Sequence, residues 1–215
     1  MIKISPSILA ANLLKIQDEV VNVDKAGAEY IHIDVMDGHY VPNITFGSNM
    51  VKSIRKITKK ILDVHLMIRP ALPQIKEFIN AGSDIISIHL DSDTNVKEIF
   101  NIIKKNKCKV GIALSPNENI NSIKNYAEYI DQIIIMTVKP GFGGQKFLNN
   151  QLPKISELKK FRDFNNLNFD IEIDGGINKK TARLCIENGA DILVAGSYIY
   201  GSLNNKYKEL IDGIR

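Results

Sequence analysis

Four residues in three short stretches have the types and spacing to share one metal ion. The first stretch, IHIDVMDGH, reads as a strand. Side chains alternate across a strand, so His32, Asp34 and Met36 share one face, and Ile31, Ile33 and Val35 the other. The apolar set should pack against helices, which leaves the polar set facing inward. In ILDVHLM, His65 and Met67 likewise share a face, and Asp174 ends the run DIEIDGG. Two imidazoles and two carboxylates at strand ends make an N₂O₂ donor set suited to a divalent first-row metal. Taken singly, each has a plainer reading. A lone strand histidine is more often a hydrogen-bonded core residue, and Asp before Gly-Gly is usually turn chemistry. His32 and Asp34 together are harder to explain that way, because two polar groups in one apolar wall cost free energy unless satisfied.

The elements that must hold these residues follow from the alternation of β-branched runs with amphipathic stretches. Candidate strands are Ile2–Leu9, Tyr30–Met36, Ile61–Met67, Asp84–Leu90, Lys109–Leu114, Gln132–Val138, Phe169–Asp174 and Asp191–Ala195. Helix-compatible segments are Pro70–Ala81, Asn95–Lys105, Pro153–Phe161 and Lys179–Asn188. Gly27, Gly82 and Gly189 stand where a helix C-terminus takes glycine. Strand–helix alternation argues for parallel βαβ units, and eight units in 215 residues predict a single (β/α)₈ TIM barrel spanning 1–215. An open doubly wound sheet is the alternative. In a barrel, reactive residues come from the C-terminal strand ends, and phosphate sites from the loops after the last two strands. The second and seventh strands lie well apart around the ring. Asp34 and Asp174 would then approach a central ligand from different sides, one removing a proton and the other returning one.

Bulk properties exclude several classes. Apolar content is 44%, charged content 24% and net charge +4. Lys and Arg scatter over the helical segments as solvated faces, so no nucleic-acid partner is expected. No run approaches the length of a membrane span, and Lys3, Ser5, Pro6 and Ser7 interrupt the apolar start too early for a signal peptide. Cys108 and Cys185 belong to no CxxC pair and read as buried thiols in a reducing cytoplasm. Strand parity also points Lys3, Asp63 and Glu172 inward, predicting an ion network in the barrel floor. His89 and His39 are expected to hydrogen-bond rather than to bind metal.

The segments SPSILAANLL, HIDVMDGHYVPNITFG, LDVHLMI, MTVKPGFGGQKF, EIDGGIN and ADILVAGS, in this order, resemble the ribulose-phosphate 3-epimerase family over nearly the whole chain. The resemblance implies a ribulose-phosphate-binding barrel interconverting D-ribulose 5-phosphate and D-xylulose 5-phosphate. It implies one divalent metal ion per subunit (Zn, Fe(II), Mn or Co) on His32, Asp34, His65 and Asp174, with Asp34 and Asp174 as the acid/base pair. It further implies substrate contacts at Ser7 and His65, and a methionine cluster of Met36, Met67 and Met136. Phosphate would fall on backbone near Gly143, Gly144, Gly175, Gly176, Gly196 and Ser197, and the subunits would form a homo-oligomer. The methionines have a plainer reading as core filling. Lys139 stands where many members have Asn; it decorates the rim or adds positive charge near the phosphate. Three rival functions remain at this point. An epimerase for allulose 6-phosphate would use the same machinery. A Schiff-base aldolase would use Lys139 as nucleophile, although parity from Met136 turns Lys139 away. A non-enzymatic sugar-phosphate binder would not need the four clustered residues.

Overall fold

The chain pairs eight short strands in parallel, each presenting an apolar outward face to the surrounding layer. A computed structural model describes residues 1–202 and 206–215. The strands are β1 (Lys3–Pro6), β2 (Tyr30–Met36), β3 (Ile61–Met67), β4 (Ile85–His89), β5 (Lys109–Leu114), β6 (Gln132–Met136), β7 (Asp170–Asp174) and β8 (Ile192–Ala195). Their order in the sheet is β1-β8-β7-β6-β5-β4-β3-β2. The two edges then meet. Ser7 bridges in parallel to His32, and the Glu29 N–H donates to the Ile4 carbonyl at 3.3 Å. The expected (β/α)₈ barrel is the observed architecture.

Helices α1 (Ile16–Lys25), α2 (Ser48–Arg55), α3 (Ile75–Asn80), α4 (Val96–Lys105), α5 (Leu152–Phe164), α6 (Lys179–Asn188), α7 (Ser197–Tyr200) and α8 (Tyr207–Asp212) follow the strands. In α4 the buried residues Val96, Ile99, Phe100 and Ile103 recur at helical spacing and face the sheet. Asn178 caps α6 by accepting from the Lys180 and Thr181 N–H groups, and Gly189 ends it at φ +111°, a conformation glycine adopts without a Cβ clash.

Several boundaries differ from the sequence reading. β1 ends at Pro6, because the Ser7 hydroxyl accepts the Leu9 N–H and starts a 3₁₀ turn at Ile8–Ala10. β6 ends at Met136, and the next residue, Thr137, turns its hydroxyl to the carbonyls of Asp174 and Gly175. The segment expected as helix over Pro70–Ala81 is α-helical only from Ile75, after a 3₁₀ turn at Leu72–Gln74. Proline fits only the first turn of a helix, so Pro73 sets that start. Between β5 and β6 the chain forms a 3₁₀ segment, Ile120–Tyr129, an element absent from the sequence reading. There Asn119 accepts the Asn121 N–H, and Ser122 donates to the Asn119 carbonyl; such local bonds compete with an α-helical ladder.

Inside the ring, Tyr30, Ile85 and Ile192 form an apolar floor. Above them lie His32, Asp63, Gln132 and Glu172, all essentially inaccessible to water. Among the described residues no helix is long and apolar enough to cross a membrane. Cys108 and Cys185 are buried and free; burial pushes their thiols up to about 11 and about 12.

Candidate active site

Parallel register delivers the cluster. Across β2 and β3, His32 faces Asp63, Asp34 faces His65 and Met36 faces Met67. Across β6 and β7, Met136 faces Asp174. The donor atoms of His32, Asp34, His65 and Asp174 all lie within 4.8 Å of one another. Asp34 Oδ1 is 3.4 Å from His32 Nε2 and 3.5 Å from His65 Nδ1. Asp174 Oδ2 is 3.8 Å from each of the same nitrogens. These separations exceed hydrogen-bonding range, roughly 2.7–3.2 Å for N–H···O. Both imidazole nitrogens are buried without a hydrogen-bond partner. Bonds of about 2.0–2.2 Å to a shared first-row cation place donor atoms roughly 3–3.6 Å apart. The orphaned nitrogens and the acidic oxygens therefore fit such an ion.

Each imidazole is also held from behind. His32 Nδ1 lies 2.7 Å from Asp63 Oδ2, and His65 Nε2 lies 3.0 Å from His89 Nε2. The Ser7 hydroxyl donates to Asp34 Oδ2 at 2.6 Å. His32, Asp63 and Glu172 also form a second close group. There the short contact to Asp63 occupies His32 Nδ1, which makes this group a hydrogen-bond network. Gln132 completes it, donating to Asp63 at 2.9 Å and to Glu172 at 2.5 Å.

Electrostatics separate the two aspartates. Burial raises Asp34, but the positive charge of His32, followed by His65, outweighs it and holds the carboxyl well below the usual range. Asp174 is pushed up to about 6, first by burial and then by the negative charge of Asp34. His32 sits well above an ordinary imidazole, because Asp34 and Asp63 overcome its burial. Burial, then the charge of Asp63, raises Glu172 well above a usual carboxyl.

The cluster forms the floor of a cavity at the C-terminal ends of the strands. Ser7, Asp34, Met36, Met67, Met136 and Asp174 line its base, and Gly143, Gly144, Gly175, Gly176, Gly196 and Ser197 line its side. All substrate-binding positions expected from sequence thus border one space, except His65, which is wholly buried beneath it. Gly176 has φ +65°, and a Cβ there would lie 2.6 Å from the Phe147 nitrogen. Among the described residues, the backbone N–H groups of Gly176, Gly196 and Ser197 have no protein acceptor.

Three expectations need adjustment. Lys3 does not join the buried network: it pairs with Asp170 at 2.7 Å, and both side chains are partly exposed. The barrel bottom opens to water at that level, so inward parity does not bring burial. The partners of Asp63 and Glu172 are His32 and Gln132, and Gln132 is missing from the sequence-based set. A polar residue starting an otherwise apolar strand, inward by parity, was the available signal. Lys139 lines the cavity rim; the strand ends three residues earlier, so alternation does not turn it away. His39 lies on the surface, bonded to the Asp37 carbonyl, apart from the cluster.

The ribulose-phosphate 3-epimerase family model matches residues 3–200. The chain is 45% identical over 207 residues to a ribulose-phosphate 3-epimerase of Bacillus subtilis, covering 96% of this chain and 95% of that one. It is 42% identical to the chloroplastic ribulose-5-phosphate-3-epimerase of Arabidopsis thaliana, covering 99% of this chain and 75% of that one. Among solved structures, a ligand complex of the KGPDC of Streptococcus mutans superposes with TM-score 0.76 at 16% identity, covering 99% of this chain and 97% of that one. The 3-hexulose-6-phosphate synthase of Salmonella typhimurium gives TM-score 0.73 at 16% identity, covering 99% and 96%. At that identity the two structures speak for the barrel alone. The sequence matches go further: this chain belongs to the ribulose-phosphate 3-epimerase family.

Proposed function

We propose that the protein interconverts D-ribulose 5-phosphate and D-xylulose 5-phosphate by moving a proton at C3. The observation that carries this reading is the convergence of Asp34 and Asp174, from β2 and β7, on the base of one cavity beside His32 and His65. Removing a proton beside a carbonyl leaves a 2,3-enediolate. One carboxylate takes the proton from one face, and the other returns one to the opposite face. That exchange needs one group ionised while the other carries a proton. The two roles exchange when the reaction runs backward.

His32, Asp34, His65 and Asp174 would hold one divalent ion, of a kind that N and O donors accept: Zn²⁺, Fe²⁺, Mn²⁺ or Co²⁺. Such an ion supplies positive charge where negative charge develops on substrate oxygen. Ser7 orients Asp34 through the 2.6 Å hydrogen bond. Met36, Met67 and Met136 border the reacting carbons with side chains that offer no exchangeable proton. The free N–H groups around Gly176, Gly196 and Ser197 take the phosphate, as bare backbone does in glycine loops. Lys139 at the rim adds positive charge at the cavity mouth.

The test is an NMR assay of ribulose 5-phosphate in D₂O. Xylulose 5-phosphate should accumulate with deuterium at C3. Turnover without solvent deuterium, or no turnover unless allulose 6-phosphate is supplied, overturns the reading.

A further inference from the structure

Beside His65 runs a chain of polar contacts that the proton transfer does not use. His65 Nε2 meets His89 Nε2 at 3.0 Å, and both side chains are wholly buried. At the far side of its ring, His89 Nδ1 lies 3.3 Å from the Ser115 hydroxyl. Tyr40 lies over the His89 ring, centroids 4.9 Å apart at 31°. Its hydroxyl donates to Asp91 at 2.8 Å, and the Arg69 guanidinium sits 5.4 Å above the Tyr40 ring while also bonding Asp91. The imidazole of His89 is thus fixed on one face by a strap from the loop after β2 and at both nitrogens by polar partners.

Two facing imidazole nitrogens can bond only if one donates and the other accepts. His65 turns Nδ1 toward Asp34 and Asp174. If that nitrogen gives its lone pair to a cation, the proton of His65 must sit on Nε2. His89 Nε2 must then be the acceptor, and the proton of His89 must sit on Nδ1, facing Ser115. We propose that His89 is a positioning residue whose Nδ1–H tautomer, anchored by Ser115, fixes the orientation of the metal-binding imidazole of His65. The inference rests on the metal reading given above. It makes the two imidazoles unlike: His32 is backed by a carboxylate, Asp63, and His65 by a neutral ring. Partners behind ligating histidines generally hold ring orientation and tautomer, and their loss costs about 10–100-fold in metal affinity.

The experiment uses full-length protein loaded with Zn²⁺ and long-range ¹H–¹⁵N correlation of the histidine rings, with His89 assigned by the signals lost in His89→Gln. The expected spectrum shows His65 protonated at Nε2 and His89 at Nδ1. In parallel, Zn²⁺ affinity is measured by chelator competition for His89→Gln, whose amide oxygen can still accept, and His89→Met, which fills the space without a strong acceptor. Affinity should fall about 10–100-fold in the Met variant and recover to within a few fold in the Gln variant. Zinc binding with His89 protonated at Nε2 overturns the inference while leaving the metal reading intact. Equal affinities in the parent and Met proteins do the same. If the parent takes up no Zn²⁺, the metal reading fails and the inference with it. Should the Met variant not fold, the ring spectrum of the parent decides alone.

Discussion

Replacing Asp63 separates two contributions that one buried carboxylate makes. Asp63 accepts from His32 Nδ1 at 2.7 Å and from Gln132 at 2.9 Å, with none of its surface reaching water. In Asp63→Leu both donors lose their acceptor inside the barrel. An unsatisfied buried donor costs about 1–3 kcal/mol, so the two together cost roughly 2–6 kcal/mol of folding stability. In Asp63→Asn the amide oxygen can still accept from His32, but the bond loses its charge. Bonds to charged groups contribute about 1.5–3 kcal/mol and neutral ones about 1, so Asn should cost roughly 0.5–2 kcal/mol. The same loss weakens the hold on His32 and should reduce metal affinity about 10–100-fold, or about 1.4–2.7 kcal/mol of binding. Urea unfolding of the chelator-treated proteins reads the first quantity, and Zn²⁺ titration against a competing chelator reads the second. If the Leu variant keeps its stability within about 0.5 kcal/mol, or the Asn variant binds Zn²⁺ within about twofold of the parent, Asp63 does not support His32 as argued.

Other perturbations reach other parts of the site. Asp34→Asn and Asp174→Asn should each abolish epimerisation; retained conversion of ribulose 5-phosphate to xylulose 5-phosphate by either protein would deny that residue its part in proton transfer. Gly176→Ala places a Cβ 2.6 Å from the Phe147 nitrogen at φ +65°; the displaced loop should raise KM for the phosphate substrate more than it lowers kcat, and unchanged steady-state kinetics would count against this loop as the phosphate cradle. Glu172 has its folded proton affinity raised above the unfolded value. Its contribution to stability is therefore fully present below the unfolded carboxyl range and declines as pH rises toward the folded value. Glu172→Gln mimics the protonated acid, so its stability relative to the parent should grow as pH rises above the ordinary carboxyl range, read by thermal or urea unfolding; a difference that shrinks as pH rises refutes the assignment.

Much of this arrangement can be read from the order of residues because strand alternation is a rigid rule. His32, Asp34 and Met36 face inward in the barrel because Ile31, Ile33 and Val35 face outward against helices. The element sequence and the inward set follow from the same periodicity. Contacts that join distant strands do not. Gln132 reaches Asp63 across 69 positions and Glu172 across 40; nothing local in QIIIM names either partner. Alternation also says nothing about depth, which is why Lys3, inward by parity, emerges at the open bottom beside Asp170. It fails beyond a strand end too, as at Lys139. The 3₁₀ segment Ile120–Tyr129 carries Asn and Ser side chains that bond their own backbone, and it lacks the plain periodicity by which α4 announces itself.

The join between β1 and β2 has a consequence for synthesis on the ribosome. Elsewhere neighbouring strands pair over several residues, and β2 and β3 match along seven. At the join there is the single bridge from Ser7 to His32, so β1 depends on β8, which it matches from Lys3 to Pro6. A nascent chain that has not yet exposed Ile192 offers the N-terminal strand no such neighbour. The first strand made is thus among the last to gain its full pairing.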